Sequence, residues 1–182
     1  MTIINDEIAK RAIYIDFEGN VGRAPTFLGA QYLDEATGKT VFGQYVHEDV
    51  FQSAGDVTDK CINKSIESSI KSLARIAYRE NRLFFAWSTR EKIAIESFLS
   101  NEKLKEFVLS RLFDCKAIAK RWKGKFHRQV RFRRLRGQGV HRLSEYMSLV
   151  GYEVPPSAGP GNTGKRLRDV RTQLSKRDGN YL

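Results

Sequence analysis

Residues 12 to 20 read Ala12-Ile13-Tyr14-Ile15-Asp16-Phe17-Glu18-Gly19-Asn20, an apolar run that carries two acids. Side chains of a strand alternate between its two faces, so Asp16 and Glu18 share one face and Phe17 lies on the other. Neighbouring carboxylates repel each other unless a cation lies between them, and a hard divalent ion takes oxygen ligands of this kind. Two interpretations stay open: a metal-binding pair on a buried strand, or two solvated acids in a strand that runs into a turn.

Composition limits the class of protein. A chain of 182 residues with 41% hydrophobic content is long enough for one domain with a proper core. No apolar run approaches the roughly 18 residues of a membrane span, and residues 1–10 lack a signal-peptide core. Cys61 and Cys115 have no C-x-x-C spacing, which predicts core thiols rather than a disulfide or zinc site. We expect a soluble, cytoplasmic protein of a single domain over residues 1–182, without a membrane partner.

The net charge of +11 is typical of proteins that bind polyanions. Residues 116–142, which we call the basic segment, contain eleven Lys or Arg residues and no acid. Aromatic residues between these cations suit phosphate contact combined with base stacking, which favours single-stranded DNA or RNA as the partner. A solvated, mobile loop with incidental charge is the alternative. The predicted contact residues are Lys120, Arg121, Trp122, Lys123, Lys125, Arg128, Arg131, Phe132, Arg133, Arg134 and Arg136.

Periodicity predicts an α/β order of elements. Three β-type runs separated by turn residues indicate an antiparallel meander, and a short apolar run later in the chain indicates a buried parallel strand. Apolar residues at three- and four-residue steps indicate helices between and after them. The predicted strands are 12–17, 26–33, 40–46, 83–87 and 111–114, and the predicted helices are 57–79 (capped by Asp56 or Thr58), 88–99, 101–110, 115–122, 140–150 (ended by Gly151) and 165–176. This order predicts a three-layer fold around a mixed five-stranded sheet with flanking helices.

Residues 13–19 resemble the first motif of the DEDD exonucleases, the proofreading-exonuclease-like branch of the ribonuclease-H-like enzymes. Asp-Phe-Glu-Gly followed by residues 25–29, Pro-Thr-Phe-Leu-Gly, is similar to the ribonuclease-H-like domain associated with predicted RecB-family nucleases. Residues 84–91 resemble the second motif, with Glu91 in place of the more usual Asp, and residues 112–119 and 143–152 resemble the segments that follow. Asp169 lies where the third motif carries its Asp.

The resemblance implies a ribonuclease-H-like fold and a 3′-to-5′ exonuclease that uses two Mg²⁺ or Mn²⁺ ions. The implied catalytic residues are Asp16, Glu18, Glu91 and Asp169, and the implied metal ligands are Asp16, Glu18 and Asp169. Glu91 and Asp169 each have a second interpretation that involves no catalytic role. Glu91 also suits the first turn of a helix, and Asp169 also suits a solvated position on a basic helix.

One departure from the family concerns the general base. Gly164 and Lys165 stand where the third motif carries His or Tyr, and general-base assistance contributes about 10²- to 10⁴-fold. His141 and Lys165 are candidate substitutes. The alternative function is therefore a catalytically weakened nucleic-acid-binding or partner-binding protein on the same fold.

Two further readings of the sequence concern other residues. Asp114 is either a helix cap or a ligand, and as a ligand it would suit an endonuclease that uses Asp16 and Asp114. Residues 159–165 fit the pattern of a nucleotide phosphate loop, but Arg166 replaces the expected Ser or Thr and a proline pair precedes the loop. The sequence thus excludes an NTPase.

Overall fold

The computed structural model describes residues 4–19, 23–47, 61–134 and 140–155, together with residues 169, 172 and 173. Six helices and six strands have described bounds. In chain order they are α1 (Asp6–Arg11), β1 (Ile13–Glu18), β2 (Phe27–Leu33), β3 (Thr40–Val46), β4 (Cys61–Asn63), α2 (Ile66–Arg79), β5 (Phe84–Ala86), α3 (Thr89–Phe98), α4 (Glu102–Ser110), β6 (Leu112–Asp114), α5 (Cys115–Phe126) and α6 (Leu143–Leu149).

The strands form one mixed sheet with the order β4-β3-β2-β1-β5-β6. β1, β2 and β3 pair antiparallel, which confirms the predicted meander. β5 pairs parallel with β1, and β6 pairs parallel with β5. The chain therefore has an α/β fold whose sheet is flanked by helices, as the order of elements predicted.

One face of the sheet forms the hydrophobic core. Period 2 sends Ile13 and Ile15 to this face, where they are 0% and 4% exposed. Helices α2, α3 and α4 cover them with Leu73, Ile95 and Val108, all fully buried. The other face presents the alternate residues of the same strands, and we call it the open face: Tyr14 and Asp16 of β1, Gln31 of β2, Phe42 and Gln44 of β3, and Phe85 of β5.

The structure corrects the predicted strand count and the start of the second helix. Residues 61–63 were expected inside a helix over 57–79, but they form β4, which pairs parallel with β3 and brings the sheet to six strands. The helix begins at Ile66 because Ser65 caps it, with the Ser65 side chain accepting a hydrogen bond from the Ser68 N–H at 3.2 Å. The predicted caps Asp56 and Thr58 lie outside the described residues.

Helix α6 is shorter than the predicted helix over 140–150. His141 adopts a φ of +68°, which is incompatible with an α-helix, and Arg142 occupies the N-cap position. Gly151 ends the helix as predicted. Its φ of +79° suits glycine, and the Tyr152 N–H bonds back to the Met147 carbonyl at 2.9 Å.

Helix α1, at the amino-terminal end of the described chain, was not predicted from the sequence. Asn5 caps this helix, and the Tyr14 hydroxyl donates a hydrogen bond to the Ala9 carbonyl at 3.0 Å. Most of the predicted helix over 165–176 and the loop over 159–165 lie outside the described residues, although Asp169 itself is helical and exposed. Within the described ranges, no helix combines the length and apolar character needed to cross a bilayer.

Candidate functional site

The carboxyl-terminal ends of three parallel strands meet at one edge of the sheet, which we call the carboxyl edge. The register aligns Ile15 of β1 with Ala86 of β5, and Ala86 with Asp114 of β6. Asp16 follows Ile15 directly, and the turn after β5 leads into α3. The fold therefore brings acids that are far apart in sequence to one edge.

The carboxyl groups of Asp16 and Glu91 lie close enough for each to shift the pKa of the other. Glu91 is 3% exposed, and burial is the main cause that raises its pKa, with the Asp16 charge raising it further. Desolvation is also the largest cause of the raised pKa of Asp16, whereas Glu91 and the Arg90 charge lower it. Two desolvated acids therefore lie side by side at the carboxyl edge.

The local sequence holds Glu91 in this position. Ser88 caps α3, and Glu91 completes a capping box by accepting hydrogen bonds from the Ser88 N–H and hydroxyl, each at 3.1 Å. Glu91 is thus a first-turn acid of α3, as one of its two interpretations predicted, and its carboxyl group also lies near Asp16.

Glu18 and Asp169 are the other two predicted catalytic residues. Glu18 ends β1 on the same face as Asp16 and is half-buried. Asp169 is exposed, and its flanking residues lie outside the described part of the chain. Among the described residues, no three His, Cys, Asp or Glu side chains form a group that could hold a metal ion.

Asp114 and Cys115 occupy the junction of β6 and α5 at the carboxyl edge. Asp114 caps α5, since its carboxylate accepts a hydrogen bond from the Ala117 N–H at 3.1 Å. Burial raises the pKa of the Cys115 thiol to about 11, and the charges of Asp114 and Glu91 add to the shift. Cys115 is therefore protonated at neutral pH and is a poor nucleophile.

A groove of about 590 Å³ runs from Asp16 across the open face. Tyr14 and Phe85 pack edge to face in its floor with ring centroids 5.5 Å apart. Sequence reasoning missed this groove, although the alternation along β1, β2 and β3 identifies the side chains of one face. The groove is lined by Tyr14, Asp16, Gly29, Gln31, Phe42, Gln44, Phe85, Trp87, Cys115 and Leu143, among others.

Beside the groove, Trp87, Phe132, His141 and Tyr146 form an aromatic cluster. The Phe132 and Tyr146 rings lie 5.0 Å apart, and the Trp87 and Tyr146 rings 5.3 Å apart. His141 Nδ1 lies 2.6 Å from the Tyr146 hydroxyl. Burial lowers the pKa of His141, and the nearby charges of Lys120 and Lys123 lower it further. His141, a candidate substitute base, is thus engaged with Tyr146, while Lys165, the other candidate, lies outside the described residues.

The basic segment divides into residues with packing roles and residues that face solvent. Lys123 is half-buried and donates to the Val130 carbonyl at 2.5 Å, and its ammonium lies 4.9 Å from the centroid of the Phe132 ring. The Trp122 ring lies 4.5 Å from that of His127. Arg136 lies outside the described residues. The exposed cations are Lys120, Arg121, Lys125, Arg128, Arg131, Arg133 and Arg134.

No family model matches the chain, and no curated protein or solved structure matches it significantly. The function is therefore inferred from the residues and geometry described above.

Proposed function

We propose that this protein is a divalent-metal-dependent nuclease on a ribonuclease-H-like fold, acting as a 3′-to-5′ exonuclease on phosphodiester bonds of DNA or RNA. The single observation that carries the proposal is the proximity of the Asp16 and Glu91 carboxyl groups at the carboxyl edge, where Glu91 is 3% exposed. Desolvated like charges side by side are unfavourable for stability and are typical of functional sites.

The arrangement of strands supports the fold assignment. A meander whose first strand is followed by two parallel strands is the order that the resemblance to DEDD exonucleases implies. β4 is then an addition at the edge of that sheet. The assignment places the first and second motifs of the family on β1 and α3, where Asp16 and Glu91 lie.

The residues at the carboxyl edge fit a hard divalent cation. Carboxylate oxygens are the ligands that Mg²⁺ and Mn²⁺ prefer, and a cation between two carboxylates relieves their mutual repulsion. Asp16 and Glu91 would hold the ion, with Glu18 and Asp169 as the further ligands that the resemblance implies. When bound, such ions acidify water and stabilise the leaving oxygen of a phosphodiester.

Residues of this chain position the acids of the site and the phosphate backbone of the substrate. The capping box fixes the Glu91 side chain, and the exposed position of Asp16 leaves its carboxyl group accessible to a substrate phosphate and its water. The exposed cations of the basic segment provide a surface for the phosphate backbone, and binding through them weakens as salt concentration rises.

The test is cleavage of an end-labelled single-stranded oligonucleotide in Mg²⁺ or Mn²⁺. We expect cleavage by the wild-type protein, loss of at least about 10²-fold in Asp16→Ala, and normal cleavage in Glu96→Gln. Glu96 is the matched control because it lies on α3 and makes only an exposed pair with Lys92 at 3.6 Å. A closed circular substrate should resist cleavage; if it is cut, the enzyme is an endonuclease.

A second candidate is a nucleic-acid-binding protein with weakened catalysis. It is favoured because, among the described residues, no three His, Cys, Asp or Glu side chains form a group that could hold a metal ion, and because Gly164 and Lys165 replace the expected base. Tight binding of the oligonucleotide without cleavage in either metal would establish this function and exclude the first.

A further inference from the structure

Two rows of side chains cross the open face of the meander. The register aligns Tyr14, Gln31 and Phe42 in one row, and Asp16, Gly29 and Gln44 in the next. Strands lie about 4.8 Å apart, and residues two apart along a strand are separated by about 6.8 Å. Aromatic, amide and carboxyl groups are therefore arrayed on one nearly flat surface.

Two features of this surface are not needed by the fold. Phe42 is 70% exposed on β3, although burying it would have favoured folding. Gly29 lies at the centre of the second row, where an added Cβ would approach nothing closer than the Asp16 carbonyl at 3.8 Å. The fold thus accepts a larger residue at position 29, and glycine there leaves a depression between Asp16 and Gln44.

The chemistry of the groove fits an unpaired nucleobase. Aromatic rings stack on any base, and side-chain amides pair with the donors and acceptors on base edges. Trp87 also lines the groove and adds a third aromatic ring beside Tyr14 and Phe85.

Charge around the groove matches the same ligand. Among the described residues, the groove lining contains the acid Asp16 and no Lys or Arg. Cations lie near one end of it: Lys116 follows the lining residue Cys115, and the charges of Lys116 and Lys120 act on His141 of the aromatic cluster beside the groove. A surface with few charges next to these lysines suits a single strand whose bases lie on the groove and whose phosphates contact the lysines.

We propose that the groove over β1, β2 and β3 binds an unpaired base of a single-stranded nucleic acid, with Phe42 as the stacking platform and Gly29 as the space for the base. The inference rests on the proposed function, because it takes the substrate to be a nucleic-acid strand. It adds the prediction that the strand is held single-stranded across the open face next to Asp16.

The test measures binding of a single-stranded oligonucleotide carrying 2-aminopurine, in EDTA so that no cleavage occurs. We expect quenched fluorescence on binding, and an affinity about 5- to 100-fold weaker in Phe42→Ala, which corresponds to the loss of one stacked base. Gly29→Val should weaken binding similarly, because valine fills the depression and is favoured in strands. Far-UV circular dichroism checks that each variant is folded.

Tyr78→Ala is the matched control, because Tyr78 is 77% exposed on α2 and lies away from the groove. We expect no change in affinity for this variant. An oligonucleotide with an abasic site at the probe position should bind the wild-type protein as weakly as the intact strand binds Phe42→Ala. Repeating the measurement with RNA of the same sequence shows whether the protein prefers ribose or deoxyribose. Free 2-aminopurine nucleotide at the same concentration as the oligonucleotide should not displace it.

The inference is overturned if Phe42→Ala and Tyr78→Ala bind alike, if the abasic strand binds as well as the intact one, or if the wild-type protein binds no strand. Its failure is separable from that of the proposed function. Binding that depends on Phe42 without cleavage in Mg²⁺ or Mn²⁺ retains the groove and rejects the nuclease. Cleavage that depends on Asp16 but not on Phe42 retains the nuclease and rejects the groove.

Discussion

Two edges of the sheet differ in whether their desolvated charges are paired with opposite charges. Before β5, the fully buried Arg82 forms an ion pair with Glu80 at 2.6 Å, and its Nη1 donates to the Arg11 carbonyl at 3.0 Å. At the carboxyl edge, Asp16 and Glu91 place two acids close together. The first edge compensates its charge within the chain, whereas the second brings like charges together. This difference separates a structural network from a candidate site.

The largest expected effect is at the compensated edge. Arg82→Met should lower the free energy of unfolding by about 3–5 kcal/mol, since it removes the buried hydrogen bonds of Arg82 to Glu80 and to the Arg11 carbonyl. Urea denaturation measures this loss. Arg79→Met is the control, because Arg79 pairs with the same Glu80 but is 74% exposed, and its loss should stay below about 1 kcal/mol. Equal losses in both variants would show that the Arg82 pair is no more important than a surface one.

The next effect concerns metal at the uncompensated edge. Mn²⁺ at a hundred times its dissociation constant should stabilise the wild-type protein by about 2.7 kcal/mol. Thermal unfolding at pH 7 measures the shift, and Asp16→Asn should remove most of it because one carboxylate is lost. Equal stabilisation of both proteins would place the ion elsewhere.

Two features of the fold could be predicted from the sequence. The position of Glu91 was predictable, because Ser88 and Glu91 have capping-box spacing and the carboxyl ends of parallel strands meet at one edge. The β1 to β3 meander was predictable from alternation and turn residues. Both signals are local, or follow from a general rule of sheet geometry.

Other features depend on pairings that no local pattern contains. β4 has only three residues, and its pairing with β3 overrides the helical spacing of Ile62 and Ile66. Phe132 was predicted as a base-stacking residue, and the structure packs it against Tyr146, which is not adjacent in sequence. The groove also required the register, because only the register aligns Asp16, Gly29 and Gln44 in one row.

A smaller effect is expected from neutralising one acid of the pair. Glu91→Gln should raise the free energy of unfolding, without metal at pH 7, by on the order of 1 kcal/mol, the scale of one pKa unit. Glutamine keeps the capping-box hydrogen bonds and removes the like charge beside Asp16. Urea denaturation in EDTA measures the change, with Glu96→Gln as the control on the same helix. A destabilised Glu91→Gln would show that the negative charge is compensated after all.

The smallest effect is the pH dependence of that difference. The pKa values of Asp16 and Glu91 are both raised above ordinary values of 3.8 and 4.5, because the folded protein desolvates the charged forms. The folded protein then binds protons more tightly than the unfolded chain, so the pair's contribution is fully present below the ordinary values and is lost as pH rises through the raised ones. The advantage of Glu91→Gln should therefore be largest near pH 7 and shrink toward pH 4. His141, whose pKa is lowered, destabilises both proteins equally below about pH 6.5, and its effect cancels in the difference. An advantage that stays constant between pH 7 and pH 4 would mean that folding does not raise the pKa values of the two carboxyl groups, and the distinction between the two edges would then rest on Arg82 alone.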